Sequence, residues 1–276
     1  MKRFEKKRAF ITGAGSGLGR ALALQFAAKG WKVAIGEINA QRAEESKRLV
    51  EEKGGKGLVV ICDVTDEKAL QAAAETLSRE WGGVDVLINN AGVAAAGSIE
   101  KIPMDQWEWI LNINLKSVIL GCKVFVPMME AQGGGHIVNV ASSAGIACLP
   151  EMSCYNVTKA AVISLSETLY TELWPKKIGV TVVAPTFFKT NLMDQFRSTD
   201  ESQREMAQKF FARSLATAEQ VAAHVVKSIE KKRLYAIYQP DGKLVWWAKR
   251  LAPQMYYRTV GFFYSSRFAR KAASAL

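Results

Sequence analysis

The sequence contains little of what a metal site or a disulfide framework requires. Two histidines and four cysteines occur among 276 residues, and no two cysteines form a C-x-x-C pair. His136 and His224 are far apart along the chain. Because zinc sites need closely spaced thiolate and imidazole ligands, we expect no metal site, and the cysteines should be reduced thiols.

A secretory leader and a long apolar segment are also missing. The first eight residues hold five cations and one acid, and no apolar run follows them. No uninterrupted apolar stretch reaches the roughly 18 residues that span a bilayer. Hydrophobic residues make up 49% and charged residues 23% of the chain, which is typical of a globular protein with a sizeable core. We therefore expect a cytoplasmic protein.

The net charge of +11 is concentrated at the two ends of the chain. Residues 227–276 contain eleven Lys and Arg against two acids, a net charge of +9, and residues 1–8 add +4. No basic groove crosses the centre, so we expect no nucleic-acid partner. Aromatic residues alternate with cations over 243–268, as in segments that bind anionic membranes. We consider two hypotheses for this segment: a peripheral membrane contact, or packing over the pocket or against a neighbouring subunit.

Strands and helices alternate along most of the chain. Candidate strands lie at 8–12, 32–36, 57–63, 84–89, 133–141 and 179–184, and the helices between them include 20–30, 40–53, 67–81 and 104–130. This alternation predicts an α/β fold with a single doubly wound, Rossmann-like parallel sheet and helices on both faces. We expect a dinucleotide-binding and catalytic domain over 1–240 and a helical, basic, aromatic-rich extension over 241–276.

A glycine-rich turn joins the first strand to the first helix. From Thr12 to Gly19 the sequence is TGAGSGLG, which gives the pattern T-G-x-x-x-G-x-G. Glycines at such a turn let the backbone approach a pyrophosphate, and the free N–H groups of the helix start point at it. Because the turn lies between a strand and a helix, it predicts a dinucleotide site.

Glu37 follows the second strand, 18 residues after Gly19, where an acid can bind the hydroxyls of the adenosine ribose. A carboxylate there repels a 2′-phosphate, and neither Ser16 nor Ile38 is a cation that would receive one. We therefore expect NAD rather than NADP, although a solvated glutamate at a strand end also fits the sequence. Asp63 closes the third strand, beside the adenine or as the cap of the next helix.

Tyr155 and Lys159 lie one helical turn apart, so that the phenol and the ammonium share one face. The lysine cation favours the phenolate and is expected to lower the pKa of the tyrosine toward neutral pH, which suits an acid/base group. Ser142 stands at the carboxyl end of the fifth strand. Ligands of open parallel sheets bind at that edge, so we expect the three side chains to border one site.

These motifs occur in the order and at the intervals of a known family. Over roughly residues 6–240 the chain resembles the short-chain dehydrogenase/reductases, specifically their shorter branch. Thr186 departs from the pattern, because the family usually has glycine after the proline. The resemblance rests on the glycine turn, Asp63, Asn89-Asn90-Ala91-Gly92, Asn114, Ser142, Tyr155-x-x-x-Lys159 and Pro185 to Thr190.

The resemblance implies a catalytic tetrad. Tyr155 would exchange a proton with the substrate oxygen, which Ser142 would orient. Lys159 would lower the pKa of Tyr155 and bind the nicotinamide ribose, and Asn114 would hold a water that links Lys159 to solvent. Thr190 would contact the nicotinamide carboxamide. The implied cofactor contacts are Gly13, Ser16, Gly17, Leu18, Gly19, Glu37, Asp63, Val64, Asn90, Ala91, Gly92, Tyr155, Lys159, Pro185 and Thr190.

Apolar residues surround these motifs. The amphipathic segment 187–215 predicts a mobile lid, and the pocket should accept a hydrophobic secondary alcohol or ketone that is steroid-like, long-chain or aromatic. Two alternatives are an NADP(H)-dependent carbonyl reductase and a non-catalytic nucleotide-binding module at a membrane. We also expect a homodimer or homotetramer. Candidate substrate contacts are Val93, Ile146, Leu149, Met152, Phe187 and Phe188.

Overall fold

The computed structural model describes residues 3–188 and 190–273, with all of their side chains except those of Asn191, Phe210 and 267–273. Lys189 of the predicted lid and residues 274–276 of the predicted extension lie outside the described residues.

A parallel sheet forms the centre of the described chain. Its seven strands are β1 (Arg8–Thr12), β2 (Lys32–Glu37), β3 (Lys56–Ile61), β4 (Val86–Asn89), β6 (Gly135–Val140), β7 (Ile178–Val183) and β9 (Tyr235–Ala236). They are arranged in the order β3-β2-β1-β4-β6-β7-β9. Two short strands, β5 (Ala95–Ala96) and β8 (Arg197–Ser198), pair with each other. The strand order reverses between β1 and β4, which opens a crevice at the carboxyl edge.

Helices cover both faces of the sheet, as predicted. They are α1 (Gly17–Ala27), α2 (Ala40–Glu52), α3 (Glu67–Trp81), α4 (Met104–Leu111), α5 (Ser117–Ala131), α6 (Ala144–Ala147), α7 (Ser153–Glu172), α8 (Glu201–Arg213), α9 (Ala218–Glu230), α10 (Pro240–Leu251) and α11 (Pro253–Ala273). Alternate side chains of β1 point to opposite faces. Ile11 belongs to the core beneath α1, α2 and α9, whereas Phe10 belongs to the core beneath α3, α5 and α7.

The predicted single helix over 104–130 is interrupted. A π-helical turn, Asn112–Lys116, separates α4 from α5, and such wide turns occur often at functional sites. By length and composition the whole stretch Met104–Ala131 is apolar enough to cross a membrane, although charged residues such as Lys116 and Lys123 interrupt it. Its residues Phe125 and Met129 are buried in the core against the sheet, which explains the apolar composition.

Candidate active site

A cavity of about 630 Å³ opens where the strand order reverses. Its wall includes residues that follow β1, β2, β4, β6 and β7, since the carboxyl ends of parallel strands share one edge. Most of the predicted site residues border it. They are Gly13, Ser16, Gly17, Leu18, Glu37, Asp63, Val64, Asn90, Ala91, Gly92, Val93, Ser142, Leu149, Met152, Tyr155, Lys159, Pro185, Phe187, Phe188 and Thr190.

The glycine turn has the backbone shape that its sequence predicts. Gly13 and Gly17 have φ angles of +63° and +51°, in the left-handed region that favours glycine. Gly19 does not border the cavity, and its predicted cofactor contact stays a prediction. A Cβ at Gly19 would lie 2.2 Å from the Gly13 carbonyl oxygen, so the absence of a side chain lets α1 pack against the turn.

Thr12 and Asn90 hold the turn in place, a role that the sequence analysis did not assign to either. The Asn90 amide Nδ2 donates to the carbonyl oxygens of Thr12 at 2.9 Å and Gly13 at 3.2 Å. The Thr12 hydroxyl accepts from the N–H groups of Asn90 and Ala91. These bonds join the ends of β1 and β4 across the crevice. The adjacent small residues after β4 indicated a tight turn, but not this bonding across strands.

Glu37 closes the far end of the crevice. Its Oε2 accepts from the Gly15 N–H at 3.0 Å, and its Oε1 accepts from the N–H groups of Ile38 and Asn39. A Cβ at Gly15 would lie 2.5 Å from Glu37 Oε2, so glycine is needed for the carboxylate to reach the turn. Arg42 borders the same end and forms an ion pair with Asp194 at 3.3 Å. Sequence reasoning missed Arg42.

Asp63 also borders this end, but it does not cap the following helix. Its Oδ1 accepts from the N–H and hydroxyl of Thr65 at 2.9 and 2.8 Å. Asp66 is the N-cap of α3 and accepts from the Lys68 N–H. The side chain of Asp63 therefore shapes the turn after β3, and its predicted contact with adenine stays a prediction.

Tyr155, Ser142 and Lys159 come together at the middle of the cavity. Ser142 is close enough to the Tyr155 phenol for hydrogen bonding by its hydroxyl to favour the phenolate. The Lys159 Nζ lies 5.8 Å from the centroid of the Tyr155 ring and donates to the Val140 carbonyl at 3.0 Å. Ser142 also accepts from the Ala144 N–H, which orients its hydroxyl.

The ionisation of the pair differs from the expectation. Burial raises the pKa of Tyr155 to about 12, and the hydrogen bond from Ser142 opposes this shift. Burial also lowers the pKa of Lys159 to about 8. The sequence predicted that Lys159 would lower the pKa of Tyr155. In the structure the loss of hydration dominates the pKa of Tyr155, because the phenol is buried.

Asn114 lies behind the cavity wall. It is fully buried, its Oδ1 accepts from the Val93 N–H at 2.8 Å, and its Nδ2 donates to the Val93 carbonyl at 2.9 Å. A Cβ on Gly92 would lie 3.2 Å from Asn114 Oδ1 and 3.4 Å from Lys159 Nζ. Asn114 therefore fixes the segment after β4 beside Lys159, and the predicted water link stays a prediction. Asn112, by contrast, is exposed.

A second set of buried amides supports α7. Asn89 Nδ2 donates to Asn139 Oδ1 at 2.9 Å, and Asn139 Nδ2 donates to Ser166 Oγ at 3.0 Å. This network joins β4, β6 and α7, which carries Tyr155 and Lys159. In the sequence, the signal for this network is Asn139, which lies within the apolar strand β6.

Apolar side chains line the rest of the cavity. Phe187 packs against Phe211 with their ring centroids 5.2 Å apart, and further apolar lining comes from α4 and the segment after β7. Ile146 does not border the cavity, and its predicted contact with the substrate stays a prediction. Its side chain is buried in the core beneath α7 because α6 turns it inward. The lining residues that sequence reasoning did not assign to the pocket include Trp109, Ile113, Ala147, Asp194, Gln195 and Ala207.

The C-terminal extension reaches back to this side of the site. Lys249 Nζ donates to the Ile146 carbonyl at 2.7 Å, and the Tyr256 hydroxyl donates to the Ala147 carbonyl at 3.1 Å. Thr186, at the position of the family's glycine, donates its N–H to Gln239 Oε1 at 3.2 Å and its hydroxyl to Asp241 Oδ1, in the extension, at 3.4 Å. The extension therefore holds both α6 and the turn after β7.

The residues present fit a dinucleotide. The first turn of α1 leaves N–H groups without intrahelical partners beside the cavity. These N–H groups and Gly13 border the same space. A side chain at Gly13 would crowd it, since a Cβ there would lie 2.9 Å from Ala91 Cα. Among the residues that the structure describes, no group of three or more His, Cys, Asp and Glu could hold a metal ion.

A family model described as short chain dehydrogenase matches residues 7–201. The chain belongs to the short-chain dehydrogenase/reductase family. It is therefore an oxidoreductase of this family, and the resemblance of its motifs is confirmed.

Relatives and solved structures of this family match most of the chain. A Mycobacterium tuberculosis protein named as the oxidoreductase SadH is 33% identical over 264 residues, which are 94% of this chain and 96% of SadH. The M. tuberculosis protein named as the oxidoreductase EphD is 34% identical over 253 residues, which are 88% of this chain but 43% of EphD. The chain thus spans less than half the length of EphD.

The fold of this short-chain dehydrogenase/reductase matches that of its solved relatives. A family member from Burkholderia phymatum, solved in complex with NAD, superposes with a TM-score of 0.85 at 30% identity, over 91% of this chain and 96% of that one. Solved neighbours include complexes with NAD and with NADPH. The family binds both dinucleotides.

Proposed function

We propose that this protein transfers a hydride between NAD(H) and a hydrophobic secondary alcohol or ketone, with Tyr155 as the acid/base group. One observation carries the proposal: Tyr155, Ser142 and Lys159 lie together in a cavity whose wall joins the glycine turn to apolar side chains. A catalytically idle nucleotide-binding module has no need of this arrangement.

The cofactor, when bound, supplies the acceptor or donor of the hydride. The protein has to supply the proton and the geometry. Tyr155 gives its phenol proton to a carbonyl oxygen or takes the proton of an alcohol, and Ser142 holds that oxygen in place. Lys159 carries a positive charge beside the phenol at neutral pH, since its pKa is about 8, and this charge favours the phenolate when the proton leaves.

The preference for NAD is supported by Glu37. Its carboxylate borders the end of the crevice that follows β2, where it is placed to accept from ribose hydroxyls and to repel a 2′-phosphate. Arg42 is the feature that favours NADP instead, but its guanidinium is paired with Asp194. The Glu37 carboxylate accepts directly from the glycine turn, so we assign it a larger effect than Arg42 on the choice between NAD and NADP.

The hydrophobic character of the substrate is supported by the lining of the cavity. Apart from Lys159 and Arg42, the lining residues that the structure describes include no lysine or arginine. Near Tyr155, a carboxylate or phosphate group on the substrate would therefore find no cation other than Lys159, whose Nζ already donates to the Val140 carbonyl. Apolar side chains border the same region instead.

A panel of secondary alcohols and ketones tests the proposal. Steroid, long-chain aliphatic and aromatic compounds are assayed with NAD(H) and NADP(H) by the nicotinamide absorbance, beside matched compounds that carry a carboxylate. We expect turnover of at least one apolar class with NAD(H), and a lower kcat/KM for its carboxylate counterpart. Turnover of the carboxylate compounds alone would contradict the proposed hydrophobic substrate. Turnover with NADP(H) alone would contradict the proposed preference for NAD.

A further inference from the structure

The two helices of the C-terminal extension expose an apolar surface. Seven of the sixteen large hydrophobic side chains that are exposed among the described residues lie between positions 244 and 263. Six of them are 55% to 76% exposed. We call these six the outer face of the extension: Leu244, Trp247, Leu251, Met255, Phe262 and Phe263.

The outer face follows from the helical period. Leu244, Trp247 and Leu251 are spaced three and four residues apart, which places them on one side of α10. On α11, Met255 and Phe262 are separated by seven residues, or two turns. The opposite sides of both helices face the rest of the protein. On α11 the half-buried side chains Tyr256, Val260 and Tyr264 recur every four residues and mark the side that faces the protein.

Cations accompany these apolar side chains. Lys243, Arg250 and Arg258 are exposed on the same two helices. From residue 242 to the end of the sequence there are seven Lys and Arg and no Asp or Glu. Arg250 is paired with Glu167 at 3.5 Å, but the segment itself carries a positive net charge. Exposed aromatic and aliphatic side chains beside such a charge are complementary to the interface of a membrane that carries anionic lipids.

We propose that the outer face of α10 and α11 binds the surface of an anionic lipid bilayer. Apolar side chains enter the interface, and the cations of the extension remain at the level of the lipid headgroups. Each cation near such a surface contributes about 1 kcal/mol. The attachment is peripheral, because the inner sides of both helices are held by the protein.

A second copy of the chain is a poorer occupant of this surface. A two-fold symmetric contact places the same patch of both subunits face to face. Here it would bring the cations of 242–276 together without any acid within that segment, and like charges across an interface oppose association. A bilayer with anionic lipids provides the missing negative charge.

The same helices contact the substrate side of the cavity through their inner sides. Tyr256 bonds to the Ala147 carbonyl, and the Tyr264 hydroxyl bonds to Glu151 at 3.2 Å. Since a helix with its side chains is about 10 Å across, a bilayer on the outer face lies about one helix diameter from the segment that borders the cavity. An apolar substrate dissolved in the bilayer would have a short path to it.

Co-sedimentation of the full chain with vesicles tests the proposal. One set of vesicles contains phosphatidylcholine and phosphatidylglycerol at about 3:1, and the other contains phosphatidylcholine alone. We expect the protein to sediment with the anionic vesicles and to be released as salt rises. The double variant Trp247→Glu/Phe262→Glu should bind at least about tenfold more weakly, because two anchors become repelling charges.

The control variant Trp174→Glu/Leu215→Glu makes the same charge change at exposed positions outside the extension. It should bind vesicles more tightly than the outer-face variant, and equal melting temperatures would show that both are folded. Failure of the wild type to bind anionic vesicles, or equal loss in both variants, overturns the proposal. The proposal is also overturned if the wild type forms a dimer that does not bind vesicles and the outer-face variant is a monomer. That result would assign the surface to a second copy.

Discussion

Lys159 donates from its Nζ to the main-chain carbonyl of Val140 at 3.0 Å, and this bond fixes a buried ammonium at the end of β6. The same side chain lies beside the ring of Tyr155. A buried cation costs stability, so the protein retains Lys159 at the site despite an unfavourable effect of burial on its charged form. This cost has a measurable dependence on pH.

The variant Lys159→Met should change how stability depends on pH. The pKa of Lys159 is lowered from 10.5 to about 8 in the folded chain, so between these values the unfolded chain holds a proton that the folded chain does not. The free energy of unfolding of the wild type should therefore rise relative to that of the variant from about pH 8 to about pH 10.5. Melting temperatures at neutral and alkaline pH measure this difference.

Lys116→Met is the matched control, because Lys116 is exposed. The free energy of unfolding of this variant should depend on pH as that of the wild type does. If the free energies of unfolding of the wild type and Lys159→Met differ by a constant amount across this pH range, the lysine is not buried in the folded protein.

Ser142 and Ser143 are adjacent and both border the cavity, but they should differ in effect. Ser142 bonds to Tyr155, so Ser142→Ala should lower kcat by about 10²- to 10³-fold through the loss of an orienting donor. Ser143→Ala should stay within about threefold of the wild type. Steady-state kinetics of the two variants provide the comparison, and a larger loss at Ser143 would reverse the assignment.

Glu37→Gln should shift the cofactor preference toward NADP. The amide keeps an acceptor for the Gly15 N–H but removes the negative charge that repels a 2′-phosphate. We expect the ratio of kcat/KM for NADP over NAD to rise by at least about tenfold. Glu44→Gln, an exposed change on α2, should leave the ratio unaltered. An unchanged ratio in Glu37→Gln would remove the carboxylate from cofactor selection.

Lys249→Met should weaken substrate binding more than cofactor binding. Lys249 holds the Ile146 carbonyl, and α6 ends next to side chains that border the cavity. Losing this bond should raise KM for the substrate by roughly 5- to 30-fold, equivalent to about 1 to 2 kcal/mol, and leave the Kd for NAD unchanged. Lys243→Met on the exposed side of α10 serves as control. Equal increases for substrate and NAD would indicate a general loss of structure.

Much of the fold could be predicted because its signals are local. The glycine turn, the βα alternation and the apolar strands depend on residues close together in sequence, and the predicted bounds of α3 agree with the structure. The four-residue spacing of Tyr155 and Lys159 likewise required no tertiary information. These features follow from helix and strand periodicity alone.

What could not be predicted depends on residues that are distant in sequence. The contact of Lys249 with Ile146 spans 103 residues, and nothing in the sequence pairs them. The inward turn of Ile146 and the packing of Gly19 against Gly13 are set by tertiary packing. The ionisation of Tyr155 was misjudged because spacing reveals a nearby charge but not the extent of burial, which dominates its pKa.

Tyr155→Phe tests the central claim most directly, since it removes one hydroxyl from a buried ring. Tyr170→Phe, on the same helix but away from the cavity lining, is its control. Turnover is measured with the best substrate of the panel, and the Kd for NAD is measured by nucleotide titration. We predict that Tyr155→Phe loses at least about 10²-fold in kcat and keeps its affinity for NAD, while Tyr170→Phe resembles the wild type. Near-normal turnover in Tyr155→Phe would contradict the account.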